Sequence, residues 1–200
     1  MGQKAGKILE RVARESMLKC VSRLSRLSTG KWSVGSVAVT TRSMSEAARE
    51  RAAEAERVGA AVYFDVKGDY PFSAMVVFSP DEAETLSRAF LGFSFSRLPK
   101  LSQAHELLLS EMGNIILNSL AGSLSAALNR QFLPSVPRCV QGEVPSLLEA
   151  LWASMEKPGR HGVITVSLNL DFDGSEAGAE VIAVIPEELE AALEASPEAG

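Results

Sequence analysis

Ser73-Ala74-Met75-Val76-Val77-Phe78-Ser79-Pro80-Asp81-Glu82-Ala83-Glu84 begins as an apolar, β-branched run and ends as an acid-rich segment opened by a proline. The first part reads as a strand. Proline is tolerated in the first helical turn, where its missing N–H would go unpaired anyway, and carboxylates there favour the positive end of the helix dipole. The second part therefore reads as a helix start. About one hundred residues later, Glu180-Val181-Ile182-Ala183-Val184-Ile185-Pro186-Glu187-Glu188-Leu189-Glu190 makes the same passage from strand to helix.

Working outward from these two points, the halves keep a common order. Each strand is preceded, across a polar turn, by another: Val62-Tyr63-Phe64-Asp65-Val66 in one half and Val163-Ile164-Thr165-Val166-Ser167-Leu168 in the other. Such neighbours pair antiparallel. The first half reads helix 6–27, strand 33–40, helix 43–56, strands 59–66 and 71–78, helix 80–91. The second reads helix 102–130, strand 135–140, helix 145–156, strands 161–171 and 177–184, helix 186–194. The expectation is a single α+β domain over residues 1–200, internally duplicated, with pseudo-repeats at about 6–93 and 102–195 related by a pseudo-twofold axis. Its helices would pack on a six-stranded, mainly antiparallel sheet.

Composition supports a packed domain: 200 residues with 46% apolar and 22% charged content bury a proper core and exclude disorder and collagen-like classes. No uncharged apolar run reaches the roughly 18 residues of a membrane span, and the charged, amphipathic N-terminus has no signal-peptide core. A cytoplasmic protein without a membrane span is expected. Cys20 and Cys139 sit in apolar patterns where a thiol packs, and that compartment disfavours a disulfide between them. His105 and His161 have no Cys or His at ligand spacing, and Gly30, Gly35 and Gly68 form no phosphate loop, so no metal or cofactor of its own is expected. Trp32 and Trp152 follow the apolar patterns of their elements and read as core or partly buried rather than as stacking platforms. The acids Glu187, Glu188, Glu190 and Glu194 read as a solvated last helix, and Ser196 to Gly200 as a frayed end. Charge is split: residues 1–100 carry 16 Lys and Arg against 11 Asp and Glu, residues 101–200 carry 4 against 14. The positive excess lies on the first helix, at Lys4, Lys7, Arg11, Arg14, Lys19, Arg23 and Arg26. Without interleaved aromatics or a nucleic-acid fold, nucleic acid is not expected as a partner.

Chemistry is expected in Ser110-Glu111-Met112-Gly113-Asn114-Ile115-Ile116-Leu117-Asn118. At about 100° per residue, Glu111, Asn114 and Asn118 share one narrow strip, which Ala121, Gly122, Ser125 and Asn129 continue. Leu107 is the apolar intruder on it. Leu108, Leu109, Met112, Ile115, Ile116, Leu120 and Leu124 fill most of the remaining circumference, so the helix should be largely buried and show only the strip. Solvated faces usually carry Lys, Glu and Arg. Asn is a poor helix former because its amide competes for backbone hydrogen bonds, so two Asn with small residues describe a face shaped for close approach. In the other half the matching positions are Arg11, Arg14 and Leu18.

The pattern Glu111-x-x-Asn114, followed by twenty-two residues and Pro137, together with the duplicated element order, resembles the CheC, CheX and FliY family of bacterial chemotaxis phosphatases. The chain is similar to CheC, itself an internal duplication, rather than to single-centred CheX. The resemblance implies a CheC-like fold and hydrolysis of the aspartyl-phosphate on a CheY-like response regulator. It implies that Asn114 orients the attacking water, that Glu111 anchors the complex through a lysine of the regulator, and that Mg2+ belongs to the regulator. The family pattern has Asp or Ser where this chain has Leu107, a hydrophobe that would either contact the partner or weaken the activity. Asn118 stands where the family often has a small residue and is expected as a second partner contact. Arg11, Arg14 and Val37 occupy the motif positions of the first half, which is expected to carry no active centre. The competing expectation is a non-catalytic adaptor of the same fold that binds a response regulator, a CheD-like deamidase or a flagellar switch component.

Overall fold

The computed structural model describes residues 3–27, 32–52, 58–91, 103–153, 161–172 and 174–196. They form α1 (Gln3–Leu27), β1 (Trp32–Ser43), α2 (Met44–Ala52), β2 (Val58–Gly68), β3 (Phe72–Phe78), α3 (Pro80–Leu91), α4 (Gln103–Leu128), β4 (Phe132–Pro134), β5 (Arg138–Glu143), α5 (Val144–Ala153), β6 (His161–Phe172), β7 (Ser175–Pro186) and α6 (Glu187–Ala195). The expected helix ends at 53–56 and 154–156, and residues 197–200, lie outside the described residues.

All seven strands join one sheet in the order β1-β6-β7-β3-β2-β4, with β5 also on β2, and every pairing is antiparallel. Exchanging β1, β2 and β3 with β5, β6 and β7 maps the order onto itself: β1 pairs β6 as β5 pairs β2, and β3 meets β7 at the centre.

Seven strands stand where six were expected. The strand expected at 135–140 is split in two, and both pieces lie on β2: Phe132–Pro134 opposite Val66–Gly68, and Arg138–Glu143 opposite Val58–Tyr63. Pro134 and Pro137 have no N–H to give to a ladder, so the edge breaks between them. Ser135 bridges the gap, its N–H donating to the Asp65 carbonyl at 2.8 Å and its Oγ accepting from the Asp65 N–H at 3.1 Å.

Side chains alternate across β2, β3, β6 and β7, so the sheet is buried on both faces. On one face Val62, Phe64, Val76, Phe78, Val166, Leu168 and Val181 pack under residues of α1, α3, α4 and α6. On the other, Ala61, Tyr63, Met75, Val77, Val163 and Ile182 pack against Ala47 of α2 and Leu147, Leu148 and Leu151 of α5. Two helices begin with reciprocal Ser-x-x-Glu caps. The Ser79 N–H donates to Glu82 Oε2 at 2.6 Å while the Glu82 N–H donates to Ser79 Oγ at 3.3 Å, and Ser43 and Glu46 make the same exchange. Those hydrogen bonds from Ser43 hold the Glu46 carboxyl below its ordinary range.

Trp32 is core as expected, buried against Phe90 with ring centroids 5.6 Å apart. Trp152 is half-buried, and its Nε1 finds no partner among the described residues. The acid-rich α6 is less solvated than its composition implies, since Glu194 Oε1 accepts the Ala5 N–H at 3.1 Å and serves an orphan donor in the first turn of α1. Ser196 is not frayed: it is buried, its N–H donates to the Ala192 carbonyl at 3.0 Å, and its Oγ donates to the Ala127 carbonyl at 3.4 Å.

Candidate functional site

The site lies on α4, which is 26 residues long. Contrary to the expectation from uncharged run length, α4 is long and apolar enough to cross a membrane, and it is the one such helix among the described residues. Its apolarity serves the core: Leu109, Met112, Ile115, Ile116, Leu117 and Leu124 are all buried in the layer between α1 and the sheet. Leu108 and Leu120 are half-buried against the same core.

Glu111 is exposed, and Asn114 and Asn118 are half-buried along the same side. Residues three and four apart on a helix are surface neighbours, which puts the Glu111 carboxylate and the Asn114 carboxamide one turn from each other. Leu107 begins the strip with 74% of its surface exposed. The strip is shorter than expected. Ala121 is buried where α1 crosses α4, a crossing marked by the Lys19 Nζ donating to Ser123 Oγ at 3.1 Å; beyond it Gly122 and Asn129 are exposed and Ser125 is half-buried.

One interaction inside the strip was missed by sequence reasoning. Asn118 Nδ2 donates to Asn114 Oδ1 at 2.6 Å and to the Asn114 carbonyl at 2.8 Å. The i,i+4 spacing permitted the pairing, but the rotamers that make it are not written in the spacing.

Gly113 explains why α4 sits where it does. A Cβ at this position would stand 2.8 Å from both Cβ and Cγ1 of Val62, so only hydrogen lets the helix approach β2 this closely. Val62 in turn is the register partner of Cys139, two residues after Pro137. β5 thus packs against α4, with Cys139 among the residues set against the core beneath it. Consistent with this, burial first and then the Glu106 carboxylate raise the Cys139 thiol to about 11. Cys20, on the buried face of α1, is raised by burial to about 12, and both cysteines are free. Val136, next to Pro137, is 81% exposed and adds an apolar side chain that sequence reasoning did not single out.

On α1 the corresponding positions read differently. Arg11 is half-buried, Arg14 is exposed, Leu18 is 62% exposed, and Val37 is half-buried on the edge strand β1. Among the described residues no group of three His, Cys, Asp or Glu is placed to hold a metal.

No protein-family model matches the chain, and no curated protein sequence does. Solved structures do. The chain is similar to Thermotoga maritima FliY, with a TM-score of 0.73 at 14% identity over 97% of this chain and 96% of that one. It is similar to the FliM middle domain from H. pylori, with a TM-score of 0.63 at 12% identity over 97% and 99%. It is similar to the chemotaxis protein CheX from Desulfovibrio desulfuricans, with a TM-score of 0.52 at 14% identity over 88% and 99%. The chain has the fold shared by the CheC-like, CheX and FliY chemotaxis proteins and the FliM middle domain, as the sequence pattern implied.

Proposed function

We propose that this chain is a cytoplasmic phosphatase of the CheC, CheX and FliY family that accelerates hydrolysis of the aspartyl-phosphate on a CheY-type response regulator. The observation that carries the reading is the presentation of Glu111 and Asn114 one turn apart on the open side of an otherwise buried helix. The chemistry suits these residue types. In phosphoryl transfer a water attacks phosphorus in line as the bond to the aspartyl oxygen breaks, so catalysis is mostly positioning and charge management. A neutral carboxamide donates and accepts, and so holds a water without adding negative charge beside a phosphate. Asn114 is the catalytic residue in this reading. Glu111 anchors the complex through a cation of the regulator, and Leu107 adds an apolar contact. The regulator brings Mg2+. The two halves are read as copies of which only the second kept a centre, since cations stand at Arg11 and Arg14.

A timed phosphate-release assay tests this. Asn114→Ala should fold normally and lose at least about tenfold of the acceleration, and Glu111→Ala should weaken association by roughly fivefold or more. Decay at the native rate in both variants would sink the proposal.

A second reading is a non-catalytic adaptor, whose partners would be a response regulator, a CheD-like deamidase or a flagellar switch component. The observations favouring it are Leu107, 74% exposed where the family pattern has Asp or Ser, and the cations Arg11 and Arg14 at the motif positions of the first half. Binding of the phosphorylated regulator with no faster decay selects it.

A further inference from the structure

We infer that Asn118 is a positioning residue that sets which face of the Asn114 carboxamide meets the partner. The inference deepens the phosphatase reading and rests on it. A carboxamide is nearly symmetric in shape, yet its two ends are chemically opposite: Oδ1 accepts and Nδ2 donates. Left alone on a helix surface, Asn114 would sample both orientations, because its terminal torsion is broad and roughly two-fold. Asn118 removes that freedom. Its Nδ2 lies 2.6 Å from Asn114 Oδ1 and 2.8 Å from the Asn114 carbonyl, so one amide is pinned by two acceptors of a single residue. The carbonyl end of Asn114 is thereby turned along the helix toward its C-terminus, and the amide end is left to face outward, with one lone pair of Oδ1 still free for a water.

The alternative orientation is penalised. Turning Asn114 over would set its Nδ2 against the Asn118 Nδ2, donor against donor, at a half-buried position where an unmade hydrogen bond costs more than at full exposure. Asn118 also anchors itself. The bond to the backbone carbonyl four residues back holds it whatever Asn114 does, so it acts as a fixed template. Preorganisation of this kind raises turnover, because the orientation is fixed before the regulator docks, and it leaves association nearly untouched.

Two substitutions separate the roles. In Asn118→Ser the hydroxyl still donates to the carbonyl of residue 114 but is too short to reach Asn114 Oδ1. In Asn118→Asp the donor becomes an acceptor, which reverses the preferred orientation of Asn114. Both are measured with a phosphorylated CheY-type regulator, beside the native chain and Asn114→Ala, and the Asn114 side-chain amide is followed by NMR. The expected result is a kcat lower by about tenfold in Asn118→Ser and by more in Asn118→Asp, with KM within about twofold of native and the Asn114 amide signal shifted in both. A native kcat in Asn118→Ser overturns the inference. So does a raised KM at constant kcat, which would make Asn118 a partner contact only. If Asn114→Ala itself leaves phosphate release at the native rate, the phosphatase reading falls and takes this inference with it. That arm is read separately from the Asn118 arms.

Discussion

Leu107 offers 74% of its surface to solvent one turn before Glu111, which is a poor use of a leucine unless something covers it. A lone exposed leucine is ordinary on a protein surface. One aligned with the motif, on a strip that also carries Glu111 and Asn114, is more informative. Burying such a side chain at an interface contributes about 1 to 2 kcal/mol, so Leu107→Ala should weaken association with the regulator by roughly fivefold to thirtyfold at constant kcat. Isothermal titration calorimetry checks the affinity, and a denaturation curve coincident with native would show that the loss is not one of stability, as expected for an exposed position. Affinity at the native value would return Leu107 to the ordinary surface. At this scale the sequence was legible where spacing alone decides the outcome: Glu111 and Asn114 fall on one side of a helix whatever the tertiary structure. It was illegible where rotamers decide, as for the bond from Asn118 to Asn114, and where a crossing helix decides, as for buried Ala121.

Elements were legible wherever punctuation is chemical. Proline at 80 and 186 announced α3 and α6, and the caps Ser43-x-x-Glu46 and Ser79-x-x-Glu82 were present in the sequence to be read, though strand and proline signals drew attention first. The division of the edge into β4 and β5 was also written in Pro134 and Pro137, but a strand interrupted at two prolines looks from sequence like one short strand. What spacing did not disclose is how near α4 comes to β2. Gly113→Ala tests that approach. The substitution gains about 1 kcal/mol of helix propensity, while a methyl pushed to 2.8 Å from the Cβ of Val62, itself fully buried in β2, has no flexible neighbour to yield. Overpacking costs about 1 to 3 kcal/mol, so the clash is expected to win by about 1 kcal/mol, seen as a lower urea midpoint. The cause is isolated by a double-mutant cycle with Val62→Ala, which removes the methyls in the way. The pair should be less destabilised than the sum of its members by at least about 0.5 kcal/mol. Strict additivity would mean that the helix rides elsewhere.

The order of strands across the whole sheet was beyond reach of the sequence. Local pattern placed every strand in its half, and the natural guess pairs strands within a half. The molecule does otherwise: β1 has its ladder on β6 along Trp32–Ser43, β5 has its ladder on β2, and the centre of the sheet is the β3–β7 pair. Among the described residues the only strand pairs formed within a half are β2 with β3 and β6 with β7, while β2's pairings with β4 and β5 join the halves. The two chemically similar halves are therefore interlocked, and their stability is shared. Cut from the chain, residues 1–100 would leave β1 without a ladder and expose the β3 edge, while residues 101–200 would expose the outer edge of β6 and lose the β2 support of β4 and β5. Isolated two-stranded units are marginal in water, and exposed apolar edges favour association. Neither half is expected to fold as a monomer. Mixed in equal amounts, they should recover the native circular dichroism and co-elute at the mass of the intact chain, and the intact chain should unfold in one transition with coincident probes from both halves. A half that alone unfolds cooperatively as a monomer would show that the pairings between halves are dispensable.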